Sequence, residues 1–102
     1  MNKWDEALTS QLESVAKSWD GCKYDALGEI IDIGADIRQQ GQRYISDGVI
    51  AGSLKEASEL IGAAIAESWE RSVYEDVGES IDIGEDIRLQ FERIIGTQEP
   101  AK

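Results

Sequence analysis

Tyr24-Asp25-Ala26-Leu27-Gly28-Glu29-Ile30-Ile31-Asp32-Ile33-Gly34-Ala35-Asp36-Ile37-Arg38 returns fifty residues later as Tyr74-Glu75-Asp76-Val77-Gly78-Glu79-Ser80-Ile81-Asp82-Ile83-Gly84-Glu85-Asp86-Ile87-Arg88. Sliding the whole chain by the same step keeps 18 of 50 aligned pairs identical, 13 of them within residues 24–45. Such density marks an internal repeat, and a repeat constrains the architecture before any other reading. The 102 residues suit one domain, 1–102, made of repeat unit one (1–50) and repeat unit two (51–100).

At about 100° per residue, Asp25, Glu29, Asp32 and Asp36 fall on one narrow stripe of a helix. Tyr24, Leu27, Ile30, Ile31, Ile33, Ile37, Tyr44 and Ile45 fill the opposite half. The second copy repeats the wheel, with Glu75, Glu79, Asp82 and Asp86 facing away from Tyr74, Val77, Ile81, Ile83, Ile87, Phe91 and Ile95. The Ile-x-Ile alternation about Asp32 and Asp82 has the period of a strand, but the longer 3.6-residue pattern outweighs so short a run. A helix is therefore expected over each stretch.

Upstream, Trp4, Leu8, Leu12, Val15 and Trp19 share one helical face, matched more loosely by Leu54, Ile61, Ile65 and Trp69. Ser53 with Glu56 and Ser72 with Glu75 have capping-box spacing, and Asn2 with Asp5 is a weaker version. Ser46-Asp47-Gly48 and Gly96 read as helix ends, because glycine accepts the left-handed backbone of a C-terminal cap. The tail from Thr97 to Lys102, with the sole proline, Pro100, reads as frayed. The expected fold is all-α: helices near 3–18, 23–46, 53–70 and 73–95, two tandem helical hairpins forming a four-helix bundle. Gly34 and Gly84, near the middle of the apolar arc, require a close neighbour, expected to be a Trp19 or Trp69 ring or the related helix. Trp19, Trp69, Tyr24 and Tyr74 read as core anchors at the corners.

Composition narrows the chemistry. With no histidine and one cysteine, Cys22, the chain lacks the ligands of common zinc and haem sites and the usual nucleophile–histidine pairs. No catalytic site is expected, no cofactor and no metal. A net charge of -11 opposes direct binding to nucleic acid or to an anionic membrane and favours a partner with a basic surface. The N-terminus carries no apolar leader, and the lone cysteine builds no disulfide framework, so a cytoplasmic location is expected.

The two acidic stripes, Asp25, Glu29, Asp32, Asp36 and Glu75, Glu79, Asp82, Asp86, hold no lysine or arginine, although like charges at i, i+4 cost helices a few tenths of a kcal/mol. They are the expected partner-binding residues, weighed against a plain solvated face that the helix dipole favours. The reading is a non-enzymatic acidic protein occupying the basic surface of a nucleic-acid-binding protein, as a mimic of nucleic-acid phosphates. In make-up it is similar to small acidic phage and plasmid proteins that block restriction, CRISPR or other DNA-binding machinery. Two alternatives stand beside it. Glu56-x-x-Glu59 followed by Glu79-x-x-Asp82 resembles the acidic signature of the all-α nucleotide pyrophosphohydrolases of the MazG and dimeric dUTPase type, a resemblance that implies magnesium held between helices. The first copy lacks it, with Thr9 in the place of Glu59. The other alternative is a homodimeric assembly, immunity or antitoxin module whose hairpins leave an apolar face exposed.

Overall fold

Leu8, Leu12, Val15 and Trp19 stand at i, i+4, i+7 and i+11, which gives helix α1 (Asp5–Ser18) one continuous buried face. The computed structural model describes residues 4–76 and 78–98. After α1 the chain turns through Gly21, at φ 81°, and enters strand β1 (Lys23–Ala26), which pairs antiparallel with β2 (Glu29–Asp32). Helix α2 (Ile33–Asp47) follows directly. The second unit runs in the same order: α3 (Leu54–Ser68), β3 (Val73–Asp76), β4 (Glu79–Asp82) and α4 (Ile83–Gln98). The chain is thus mostly helical with two small two-stranded sheets, and it divides into two units, 1–49 and 50–102.

The hairpins correct the expectation of helices beginning at 23 and 73. Three local features override the 3.6-residue pattern. Leu27 and Gly28 both take positive φ, 51° and 90°, the signature of the tight two-residue turns that match strand twist. Asp32 is extended, and its carboxylate accepts the Ala35 amide at 3.1 Å, so α2 begins at Ile33 and not ten residues earlier. The pairing Tyr24–Ile31 then continues into a bond from the Ile33 amide to the Cys22 carbonyl at 2.9 Å. Residues of the supposed apolar arc separate accordingly. Tyr24 and Ile31 share the half-buried face of the ribbon, whereas Leu27 at the tip is 105% exposed and Ile30 on the outer face 64% exposed.

Other boundaries shift for similar reasons. Ser53 caps α3 by accepting the Glu56 amide at 3.1 Å, and the Glu56 carboxylate reaches back to the Gly52 amide at 2.8 Å. Ser72 and Glu75 make no capping box, because Glu75 lies in β3. Gly48, at φ 91°, ends α2 with its amide bonded to the Tyr44 and Ile45 carbonyls, but α4 passes through Gly96 as far as Gln98, including the start of the expected frayed tail. Asn2, Val77 and the tail beyond Gln98 lie outside the described residues.

Within each unit the two helices pack on one another. Ile33, Ile37 and Ile45 of α2 join the α1 face, and Ile83, Ile87, Phe91 and Ile95 of α4 join Ile61, Ile65 and Trp69 at α3. The helices approach most closely at glycines. A Cβ on Gly34 would lie 2.8 Å from the Ala16 carbonyl oxygen and 2.9 Å from the Asp20 amide, and one on Gly84 would lie 2.7 Å from the Ala66 carbonyl oxygen. The close neighbour is therefore backbone at the end of the preceding helix, not a tryptophan ring. Farther along, Gly41 faces the Leu12 side chain, while at the equivalent positions Gly62 faces the ring of Phe91. Large-against-small in one copy becomes small-against-large in the other.

Two outcomes follow for stability in chemical denaturation. Gly34→Ala, a change that stabilises an exposed helix by up to about 1 kcal/mol, is expected to destabilise by about 1–3 kcal/mol here, because rigid backbone blocks the methyl group. Gly41→Phe alone is expected to be severely destabilising, and adding Leu12→Gly should recover much of the loss by copying the packing of the second unit. A neutral Gly34→Ala, or additive behaviour of the pair, would contradict this account of helix contact.

Candidate acidic interaction site

The pleat of a strand sends alternate side chains to opposite faces, and directly paired residues share a face. Pairing of Asp25 with Ile30 and of Lys23 with Asp32 puts these four on the outer face of the first hairpin, and pairing of Ala26 with Glu29 puts Glu29 on the other face, close to the turn. In the second hairpin the outer face holds Val73, Glu75, Ser80 and Asp82, with Glu79 opposite. The eight acids singled out from the sequence are therefore not two stripes along two helices. Glu29 and Glu79 are turned away from their supposed neighbours, and only Asp36 and Asp86 lie within helices.

Their local roles differ too. Asp32 and Asp82 are helix caps, each accepting an amide three residues on, from Ala35 and Glu85, at 3.1 Å. Asp36 and Asp86 accept the side-chain amides of Gln40 and Gln90 at 2.7 and 2.8 Å. These four belong to the fold. Asp25, Glu29, Glu75 and Glu79 are exposed on the hairpins, and no side-chain hydrogen bond or ion pair is found for them among the described residues. The second hairpin contains no lysine or arginine, whereas the first has Lys23 directly across from Asp32.

Arg38 and Arg88 find acidic partners outside the eight acids singled out from the sequence. Arg38 donates from Nε to both oxygens of Glu13 at 2.9 and 3.0 Å, and its terminal nitrogens reach Asp20 at 3.2 and 3.4 Å. It thus clasps α1 to α2. The bonds to Glu13 and then to Asp20 raise the pKa of an already strongly basic group. All three side chains are a third to a half exposed, so the clasp contributes modestly to stability. In the second unit Ala63 replaces Glu13, and Arg88 has Glu70 at 3.5 Å.

The residues behind the pyrophosphohydrolase resemblance are scattered by the same geometry. Glu56 is spent on capping α3, Asp82 caps α4, and Glu79 and Asp82 are three positions apart on a strand and so on opposite faces. Among the described residues, no group of three or more acidic or cysteine side chains is placed to share a metal ion. Cys22 is half-buried and free. No helix of the described residues is long and apolar enough to cross a membrane. Comparison with protein-family models, curated proteins and solved structures finds no match.

The division of labour among the acids is directly measurable. Asp32→Ala and Asp82→Ala are each expected to cost about 1 kcal/mol through the lost cap, whereas Asp25→Ala and Glu75→Ala should stay within about 0.5 kcal/mol of the parent. Equal losses at all four positions would show that the acids act as one structural set after all.

Proposed function

We propose that this chain is a non-enzymatic binding protein whose hairpins offer carboxylates to the basic surface of a partner, one that normally holds nucleic acid. The observation that carries the reading is the placement of Asp25, Glu29, Glu75 and Glu79. They are exposed, they lie on ribbons projecting from the helix pairs, and no cap or clasp employs them. Acids required by the fold are found elsewhere, in caps and in the Arg38 clasp. A net charge of -11 supplies long-range attraction to such a partner, and the likeness to phosphate rests on this charge. We also infer that both helix pairs contribute to one four-helix bundle, since a unit of about fifty residues rarely sustains a stable core alone.

Binding of this kind weakens with salt. Immobilised protein is expected to retain basic, nucleic-acid-binding proteins from a lysate at low salt and to release them at high salt. The quadruple charge reversal Asp25→Lys, Glu29→Lys, Glu75→Lys, Glu79→Lys should abolish that retention while leaving the thermal transition in place. Retention of nothing basic at low salt, or equal retention by the reversed variant, would remove the basis for the reading.

A further inference from the structure

Two aliphatic side chains stand in solvent at the end of the first hairpin, and one of them is held there against conformational preference. Leu27 adopts a left-handed backbone at φ 51°, a region that L residues other than asparagine and aspartate rarely occupy, and its side chain is 105% exposed. Asparagine before Gly28 would fit the same turn more easily and would be better solvated. Ile30, 64% exposed, is paired with Asp25 on the outer face of the ribbon. Neither side chain joins the core of its own unit, which is built from residues such as Leu12, Ile33 and Ile37. Exposed aliphatic residues also occur at Ile50, Leu60, Val73 and Leu89, but none of these has a positive φ. The second copy keeps an aliphatic residue before the turn glycine, Val77 before Gly78, and Gly78 takes φ 81°. A strained, solvated aliphatic residue costs its own unit stability, and strain of this kind is characteristic of a binding contact.

The charges around these side chains restrict what can cover them. Asp25 lies directly across from Ile30, and Glu29 closes the ribbon at the turn on its other face, so carboxylates stand on both sides of the tip. Lys23 is at the far end of the ribbon, opposite Asp32. A purely apolar surface laid over Leu27 and Ile30 would strip water from Asp25 and Glu29 without compensating their charge. A nucleic acid would bring phosphates against them. Cations set around an apolar depression satisfy the carboxylates and the aliphatic groups together.

Resting on the reading of the chain as a binder of basic surfaces, we propose that the hairpin tip is its anchor. Leu27 and Ile30 enter an apolar recess on the partner protein, while lysine or arginine residues edging that recess meet Asp25 and Glu29. The two parts of the contact do different work. Charge attraction is screened by salt, whereas burial of aliphatic surface is not weakened by it. The acids therefore set how affinity varies with salt, and the tip multiplies affinity by a factor that salt leaves alone. Burial of two such side chains corresponds to about tenfold or more in affinity once the cost of ordering them is met. The tip also discriminates among basic proteins, because a uniformly charged surface offers it no recess.

Two peptides present the required surface in defined form. One is an amphipathic helix with a leucine stripe edged by lysines, and the other has glutamine in place of every leucine at the same charge. Each is titrated into the isotope-labelled chain over a range of sodium chloride concentrations and followed by NMR. The leucine peptide is expected to bind about tenfold or more tightly at every salt concentration, with the methyl signals of Leu27 and Ile30 shifting. Both peptides should lose affinity with salt along parallel slopes. Leu27→Asn with Ile30→Ser, which eases the turn and copies Ser80 of the second hairpin, should stay folded, keep the slope and bind the two peptides equally. Asp25→Lys with Glu29→Lys should weaken binding of both peptides and flatten the slope. Equal affinity of the parent for the two peptides, unmoved Leu27 and Ile30 methyl signals, or a preference that survives Leu27→Asn with Ile30→Ser would each overturn the anchor and leave the acidic binder standing. Failure of both peptides to bind at low salt would instead remove the binder reading, and the anchor with it.

Discussion

The amide of Gly34 donates to the Trp19 carbonyl at 3.1 Å, and that of Gly84 to the Trp69 carbonyl at 3.2 Å. With the bond from Ile33 to Cys22, these contacts fasten the start of each second helix to the end of the first, backbone against backbone. Glycine is demanded because a side chain would intrude on the carbonyl of Ala16 or Ala66. Once this point is fixed, the second helix can only run back along the first. Leu12, Ile33 and Ile37 then become buried together in the first unit, and Ile65, Ile83 and Ile87 in the second.

The same fastening frees most of the segment between the helices. Because Cys22 and Ile33 are bonded to each other, the segment from Lys23 to Asp32 closes as a ribbon whose outer face owes nothing to the core. Its tip can carry charge, as at Asp25 and Glu29, or exposed aliphatic groups, as at Leu27 and Ile30, at little cost to helix packing. Acids at the base of the ribbon have no such freedom. Asp32 and Asp82 begin the helices, and replacing them would cost the fold as well as the charge.

Much of this was legible in the sequence and some was not, for identifiable reasons. Faces such as Leu8, Leu12, Val15 and Trp19 announce a helix because four residues at helical spacing fit nothing else, and Gly34 announced a close approach because glycine inside an apolar arc has no other use. The hairpins escaped notice because Tyr24 to Asp32 satisfies a helical wheel and a pleat equally over so few residues. The turn is Leu-Gly instead of the more telling Asn-Gly, and Leu27 reads as core because an aliphatic residue at a left-handed, solvated tip is contrary to ordinary expectation. The signal that was available is Asp32 three residues before Ala35, with the Ile-x-Ile alternation about it, which together describe a strand ending in a cap. Partners of Arg38 were out of reach, since Glu13 is 25 positions away and only the packing of α1 on α2 brings it near.

Identity between the copies follows these constraints closely. Ile31-Asp32-Ile33-Gly34 and its partner Ile81-Asp82-Ile83-Gly84 are identical, and this is the segment where strand, cap and backbone contact meet within four residues. Divergence falls mostly in the first helix of each unit and also takes in the tips and the paired positions 12 and 41 against 62 and 91, where one large side chain and one glycine exchange places. That exchange preserves the helix contact while moving the bulky group from α1 in one unit to α4 in the other. A helix contact held to one backbone geometry can therefore carry its bulky residue on either helix without altering how the pair packs.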